Sequence, residues 1–110
     1  MSQQYDWLIQ IRANTEDLEG RINTRPAHLV HNKPLIEAGK ILFGGPLLAH
    51  QPESPDADLA VTGSVMLIRA GTEEEVRQLV REDPYAKVGF WDVENAVVSP
   101  FRCVVRKKTA

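Results

Sequence analysis

Residues 60–70 have the sequence AVTGSVMLIRA, and this segment decides the kind of sheet that the chain can build. Four apolar residues follow one another at positions 65–68, and residues 7–9, 97–98 and 103–105 have the same character. Because successive side chains of a strand point to opposite faces, such strands are apolar on both sides. The sheet therefore needs cover on both of its faces.

The patterns around this segment predict four strands and two helical regions in the order β, α, β, β, α, β. Alternating or continuous apolar residues predict strands over residues 5–13, 40–48, 60–70 and 94–106. This order is that of the ferredoxin-like α+β fold, with two helices against one face of a four-stranded antiparallel sheet. We expect residues 1–110 to form one such domain, because a chain of this length can bury its own core.

The first helical region contains two prolines. Asn14 and Thr15 are candidate N-caps for its start, and Gly39 is the expected end. Pro26 and Pro34 each remove a backbone donor and crowd the preceding turn. They predict a short helix followed by a longer, bent helix from about residue 24.

Cap and turn residues mark the other boundaries. Thr72 opens a capping-box pattern for the second helical region, which is expected to stop near Asp83. Gly44-Gly45-Pro46 should distort or end regular pairing in the second strand. The polar, proline-containing segment 49–59 is either a mobile flap or a plain surface loop.

The second face of the sheet predicts a partner. If even ~600 Å² of apolar sheet stayed open per chain, the unrealised burial would be about 15 kcal/mol at roughly 25 cal/mol/Å². A second copy of the chain in a closed two-fold dimer is the economical solution, and higher oligomers stay open.

Composition limits the cellular compartment and the classes of binding partner that we expect for this protein. The formal charge of −2 and the single cysteine, Cys103, favour neither nucleic-acid binding nor a disulfide framework. The basic residues near the C-terminus are interpreted as a solvated tail. The N-terminus lacks a signal-peptide pattern, and no apolar stretch reaches ~18 residues, so a cytoplasmic protein without membrane contact is expected.

The motifs predict neither cofactor nor metal. Gly44-Gly45-Pro46 lacks the glycine spacing and the Lys-Ser/Thr ending of a phosphate-binding loop. His28 and His31 have helical spacing but no third ligand at a recognisable distance along the chain.

Several short motifs resemble, in their order and spacing, those of the YCII-related domain family from about residue 5 to residue 105. They are Arg25-Pro26-Ala27-His28-Leu29, Ala38-Gly39-Lys40 before Gly44-Gly45-Pro46-Leu47, Gly63-Ser64, and Asp83-Pro84-Tyr85 followed by Gly89. The resemblance implies a dimeric α+β barrel built from two ferredoxin-like units, with a pocket between sheet and helices in each subunit. It also implies small-molecule chemistry, notably chloride elimination from chloroaromatics, with a catalytic pair at His28 and Asp83 and Ser64 as a polar neighbour.

The chemistry of these residues allows that role and a structural one. Imidazole titrates near neutral pH, so His28 could abstract and return a proton, with Asp83 orienting the ring. Alternatively, His28 is a helix histidine bonded to a carbonyl, and Asp83 is an N-cap preceding a first-turn proline. Both roles of Asp83 can coexist.

Four further residues are candidate substrate contacts. Arg25 lies three residues before His28 and could hold an anionic substrate, although an ion pair with Asp83 is the favoured interpretation. The Ser64 hydroxyl could meet the substrate or His28, or bond within its own sheet. Gly45 and Pro46 would shape the pocket.

The leading hypothesis is a small-molecule enzyme performing elimination or isomerisation by acid–base chemistry at His28 and Asp83. The alternatives are a non-catalytic ligand-binding or regulatory dimer that uses the same pocket, and a structural assembly domain without a ligand.

Overall fold

A computed structural model describes residues 3–105 and confirms the predicted element order, with one short helix added. Strand β1 spans Tyr5–Arg12, helix α1 Leu18–Glu37, β2 Ile41–Leu48, β3 Val61–Ala70, α2 Glu73–Arg81, α3 Pro84–Lys87 and β4 Val97–Phe101. A 3-10 turn at Val93–Asn95 replaces the first residues predicted for the last strand, and Arg106 lies outside the described residues. Helix α3 occupies the predicted turn.

The sheet is antiparallel, with the strand order β2-β3-β1-β4. Ile9 of β1 pairs with Met66 of β3 on one side and with Val98 of β4 on the other. β1 and β3 are therefore central, and β2 and β4 are the edges. Gly63 is required where β3 passes β1, since a Cβ atom there would collide with the Ile11 carbonyl oxygen.

One face of the sheet carries the core. Ile9, Ile11 and Ile68 are almost completely buried there, together with Val76 of α2 and Trp91 of the segment before β4. The spacing of Val76 and Val80, four residues apart, gives α2 its single buried stripe. Helix α1 packs mainly against α3 and β2, and a pocket remains between α1 and the sheet.

Helix α1 is continuous, so the predicted break near residue 24 is wrong. Pro26 and Pro34 both lie inside the helix, and both side chains are exposed. The carbonyls that lose their donors belong to Ile22 and Val30, which are also exposed, so water can satisfy them. Gly39, with φ of +74°, ends the helix as predicted.

The N-cap of α1 is also corrected. The Asp17 side chain accepts a hydrogen bond from the Gly20 backbone at 3.0 Å and caps the helix. Asn14 instead accepts from the Glu16 backbone at 3.1 Å, one turn too early for the cap. Thr72 does cap α2, accepting from the Glu75 backbone at 3.2 Å.

Strand β2 pairs through its glycines and proline, contrary to prediction. Gly44, Gly45 and Pro46 face Met66, Val65 and Ser64 in unbroken register, and the irregularities fall on either side of them. Because β2 is an edge strand, a proline there need not interrupt a ladder.

The other face of the sheet carries apolar side chains, as the two-sided strands predicted. Leu8 pairs with Leu67 there, and Phe43, Val97 and Phe101 surround them with exposed fractions of 44%, 55% and 43%. Among residues 3–105, none of the helices combines the length and the apolar composition that a membrane span requires.

Candidate active site

A pocket of about 390 Å³ lies between helix α1 and the sheet. Arg21, Arg25, His28 and Asn32 recur every three or four residues, so they share the helix face that forms one wall. β2 and β3 supply the opposite wall, and three aromatic rings complete it: Tyr85, Phe90 and Trp91.

His28 and Asp83 are in direct contact. The His28 Nδ1 atom lies 2.9 Å from Asp83 Oδ1 and 2.8 Å from Oδ2. Asp83 is only 2% exposed, and its Oδ1 also accepts the Tyr85 backbone N–H at 2.9 Å. The carboxylate therefore caps α3 and holds the imidazole at the same time.

The contacts of His28 define its neutral tautomer. An ionised carboxylate can only accept hydrogen bonds, so Nδ1 carries the proton and donates the hydrogen bond to Asp83. The other nitrogen, Nε2, lies 3.2 Å from the Asn32 side-chain nitrogen and accepts its N–H. The lone pair of Nε2 therefore lies on the side of the ring away from Asp83 and is engaged by the Asn32 amide, which a substrate proton donor has to displace.

Two aromatic rings fix the plane of the imidazole. Tyr85 stacks on His28 with ring centroids 4.2 Å apart and an interplanar angle of 25°. Trp91 meets the same ring nearly edge-on, at 5.5 Å and 82°. With Asp83 behind it, the ring has little rotational freedom, which is the preorganisation that a general base requires.

Burial raises the pKa of the Tyr85 phenol above its ordinary value of 10.0. The positive charges of Arg21 and Arg25 lower that pKa, while the negative charge of Asp83 raises it further. The net direction is upward, so Tyr85 presents a neutral phenol to the pocket at physiological pH.

This raised pKa predicts an alkaline loss of stability. Because the unfolded chain releases the Tyr85 proton at lower pH than the folded chain, the contribution is complete below about pH 10 and is lost as pH rises through the folded pKa. Urea unfolding at pH 8 and pH 11 should show a smaller loss in Tyr85→Phe than in the unaltered protein. Equal losses would contradict the shift, and the exposed Tyr5→Phe is the matched control.

The pocket brings together five of the six predicted site residues: Arg25, His28, Gly45, Pro46 and Ser64. Asp83 is absent from the pocket wall because it lies behind His28. The Ser64 hydroxyl donates to the Gly45 carbonyl at 3.3 Å, so it bonds within its own sheet and not to His28.

The predicted ion pair between Arg25 and Asp83 is wrong. Asp83 is occupied by His28 and the Tyr85 backbone, and within residues 3–105 no carboxylate lies within 4.0 Å of the Arg25 guanidinium. The charge of Arg25 stays available at the pocket.

The sequence interpretation missed Arg21 and Asn32, and it gave Tyr85 no role at the site. Helical spacing could have found the first two, since Arg21 precedes Arg25 by four residues and Asn32 follows His28 by four. The stacking of Tyr85 on His28 joins residues 57 positions apart, and no local pattern encodes it.

Comparison with known proteins identifies the family. The family model of the YCII-related domain matches residues 5–102. The chain belongs to this family. The match covers all four strands and the three α-helices, so the whole pocket lies within the YCII-related domain.

Two relatives of this YCII-related domain show its breadth. The derivative of benzaldehyde biosynthesis cluster protein C of Emericella nidulans is 66% identical over 97 residues, covering 88% of this chain and 99% of that protein. Protein YciI of Escherichia coli is 31% identical over 98 residues, covering 89% and 97%.

A solved structure gives the fold and a ligand for comparison. The 5-chloro-2-hydroxyhydroquinone dehydrochlorinase TftG of Burkholderia phenoliruptrix, in complex with 2,5-dihydroxybenzoquinone, superposes with a TM-score of 0.72 at 31% identity. The superposition covers 88% of this chain and 93% of TftG. The fold is thus that of the dimeric α+β barrel proteins, as predicted.

Proposed function

We propose that this YCII-related domain is a small-molecule enzyme that uses His28 as a general base and Asp83 as its orienting carboxylate. The contact of His28 Nδ1 with both oxygens of a buried carboxylate carries the proposal. It leaves Nε2 as the basic nitrogen in the pocket wall, and a substrate proton donor reaches it by replacing the Asn32 amide as its hydrogen-bond partner.

The reaction class that fits is elimination or isomerisation. Nε2 takes a proton from a substrate C–H or O–H, and the electron pair of that bond forms a new double bond. In an elimination the leaving group departs with its own bonding pair, whereas in an isomerisation the imidazolium returns the proton to another substrate atom. Asp83 stabilises the positive charge on the ring throughout.

Hydroxylated aromatic or quinone rings are the proposed substrate class. Tyr85, Phe90 and Trp91 offer flat apolar contacts, and Arg21 and Arg25 offer positive charge to a phenolate or enolate oxygen. TftG, with the same fold and 31% identity, was solved with such a ring.

The test is proton exchange, which needs no knowledge of the leaving group. The protein is incubated in D₂O with 2,5-dihydroxybenzoquinone, other hydroxyquinones, phenols, lactones and hydroxy acids, and deuterium uptake is followed by NMR. An enzyme exchanges at least one of these compounds and loses the exchange when His28 is replaced. A non-catalytic binding dimer would shift ligand resonances without exchange, and His50→Asn, at an exposed histidine, is the control.

We also propose that the open face of the sheet packs against a second copy of the chain. The exposed side chains of Phe43, Val97 and Phe101 support this pairing, because they would leave water on association. Both edges of the sheet contribute to that surface, so one partner could cover all of it.

Charge placed on this face should prevent the pairing. We expect the unaltered protein to elute as a dimer at micromolar concentration in light-scattering chromatography, and Phe101→Glu or Val97→Glu to elute as monomers, because a buried unpaired carboxylate is costly. Val30→Glu, on the exposed side of α1, should remain dimeric. A monomeric unaltered protein would refute the dimer.

A further inference from the structure

A second cavity of about 260 Å³ adjoins the main pocket, and the mechanism makes no use of it. Four residues line both cavities: Arg21, Leu59, Val61 and Phe90. We call the second cavity the side chamber. It is a continuation of the pocket that contains His28, beyond the side chain of Arg21.

The far wall of the side chamber is built from small residues on a fixed backbone. Ala49 and Ala60 are hydrogen-bonded to each other through their main chains at 2.8 Å. Thr62 adjoins them, and its carbonyl accepts the Ala13 N–H at 3.0 Å. Small side chains on this hydrogen-bonded backbone leave the space of the side chamber unfilled by the protein itself.

The side chamber has the chemistry of a binding space and lacks that of a reaction site. Of the described residues that line it, only Arg21 carries a charge. Asn14, Thr15 and Thr62 are polar, and the other five are apolar: Ala49, Leu59, Ala60, Val61 and Phe90. The apolar part of this lining favours an alkyl or alkenyl group, because burial of each methylene removes apolar area from water.

Arg21 stands where the two cavities meet. It is half-buried, and within residues 3–105 no carboxylate lies within 4.0 Å of its guanidinium. An unpaired arginine at this position suits an oxygen substituent on the edge of a ring, next to the point where a side chain leaves that ring.

We infer that the substrate has two parts, a flat oxygenated ring in the main pocket and an apolar chain in the side chamber. This inference rests on the proposed function, because His28 must address the ring. A ring alone would occupy the main pocket and leave the side chamber to water. The length of the alkyl chain that fits the side chamber would then distinguish the true substrate from other compounds with the same ring chemistry.

The experiment is calorimetric titration with 2,5-dihydroxybenzoquinone and its 3-alkyl derivatives from methyl to undecyl. We expect Kd to fall roughly three- to fourfold per methylene over the first members, since a buried CH₂ contributes about 0.8 kcal/mol. The gain should stop once the side chamber is full. If the gain came from adsorption to the protein surface or from micelle formation, the apparent affinity would instead keep rising up to the undecyl derivative.

Two variants that fill the side chamber locate the chain. Ala49→Trp and Ala60→Phe should each reduce the ratio of Kd between the unsubstituted ring and the pentyl derivative to less than threefold. Ala38→Trp, on the exposed C-cap of α1, adds the same side chain elsewhere and should keep the full ratio. Circular dichroism establishes whether each variant is folded. Because two separate positions are substituted, the test remains valid if one of the variants does not fold.

The outcomes separate this inference from the proposed function. If the ring binds but its affinity does not change with chain length, the two-part substrate is refuted and the enzyme proposal stands. If the gain persists in both chamber variants, the chain lies elsewhere and the inference is again refuted. If no member binds, the two-part substrate is refuted, and the proton-exchange test with the other compounds decides the enzyme proposal separately.

Discussion

Replacing His28 by asparagine is expected to lower the exchange or turnover rate by about 10²–10⁴-fold, the usual contribution of a positioned general base. Asparagine keeps a polar group of similar size at this position but offers no nitrogen that can take a proton. Only 16% of the His28 side chain is exposed, so the packing against Tyr85 will loosen somewhat. The effect should fall on kcat rather than on KM, because the proton transfer is made only in the transition state.

The matched comparison for this variant is Asn32→Ala. It removes the hydrogen bond to Nε2 and leaves the base and its carboxylate in place. We expect a loss of no more than about tenfold, since the Nδ1–H tautomer is still held by Asp83. If His28→Asn lost no more rate than Asn32→Ala, His28 would be a structural residue and the acid–base proposal would be refuted.

Most of the fold could be predicted from the sequence because its signals are local or periodic. Alternation in β1 and the continuous apolar run of β3 predicted the strands, and the cap at Thr72 predicted α2. The break in α1 was wrong because the effect of a proline depends on whether water can reach the carbonyl that it orphans. That is a property of the folded surface and not of the motif.

The site shows the same division. A stripe of residues on α1 could be predicted as one helix face, and the family resemblance brought His28 and Asp83 forward. Their contact could not be derived, because it joins residues 55 positions apart across α1 and α3. The ion pair predicted for Arg25 failed for a related reason. His28 and the Tyr85 backbone N–H already occupy the Asp83 carboxylate, and spacing along α1 could not show this.

The position of Asp83 links stability to chemistry. Its carboxylate accepts hydrogen bonds from the Tyr85 backbone N–H and from the imidazole N–H. One buried group therefore caps helix α3 and also orients the base. Replacement of Asp83 therefore has two measurable consequences, and the choice of substituent separates them.

Asp83→Ala is expected to reduce the free energy of unfolding by about 2–4 kcal/mol, since it removes an N-cap and leaves buried donors on His28 and Tyr85 without acceptors. Asp83→Asn should lose only about 1 kcal/mol, because its amide oxygen can still accept from the Tyr85 backbone. Its NH₂ group would then face Nδ1, draw the ring proton to Nε2 and remove the base, so the rate should fall by about 10³-fold or more even though the fold survives. Urea unfolding and the exchange assay on both variants measure the two effects. If Asp83→Asn kept its activity, Asp83 would be a cap alone; if Asp83→Ala lost no more stability than Asp83→Asn, the cap would be dispensable.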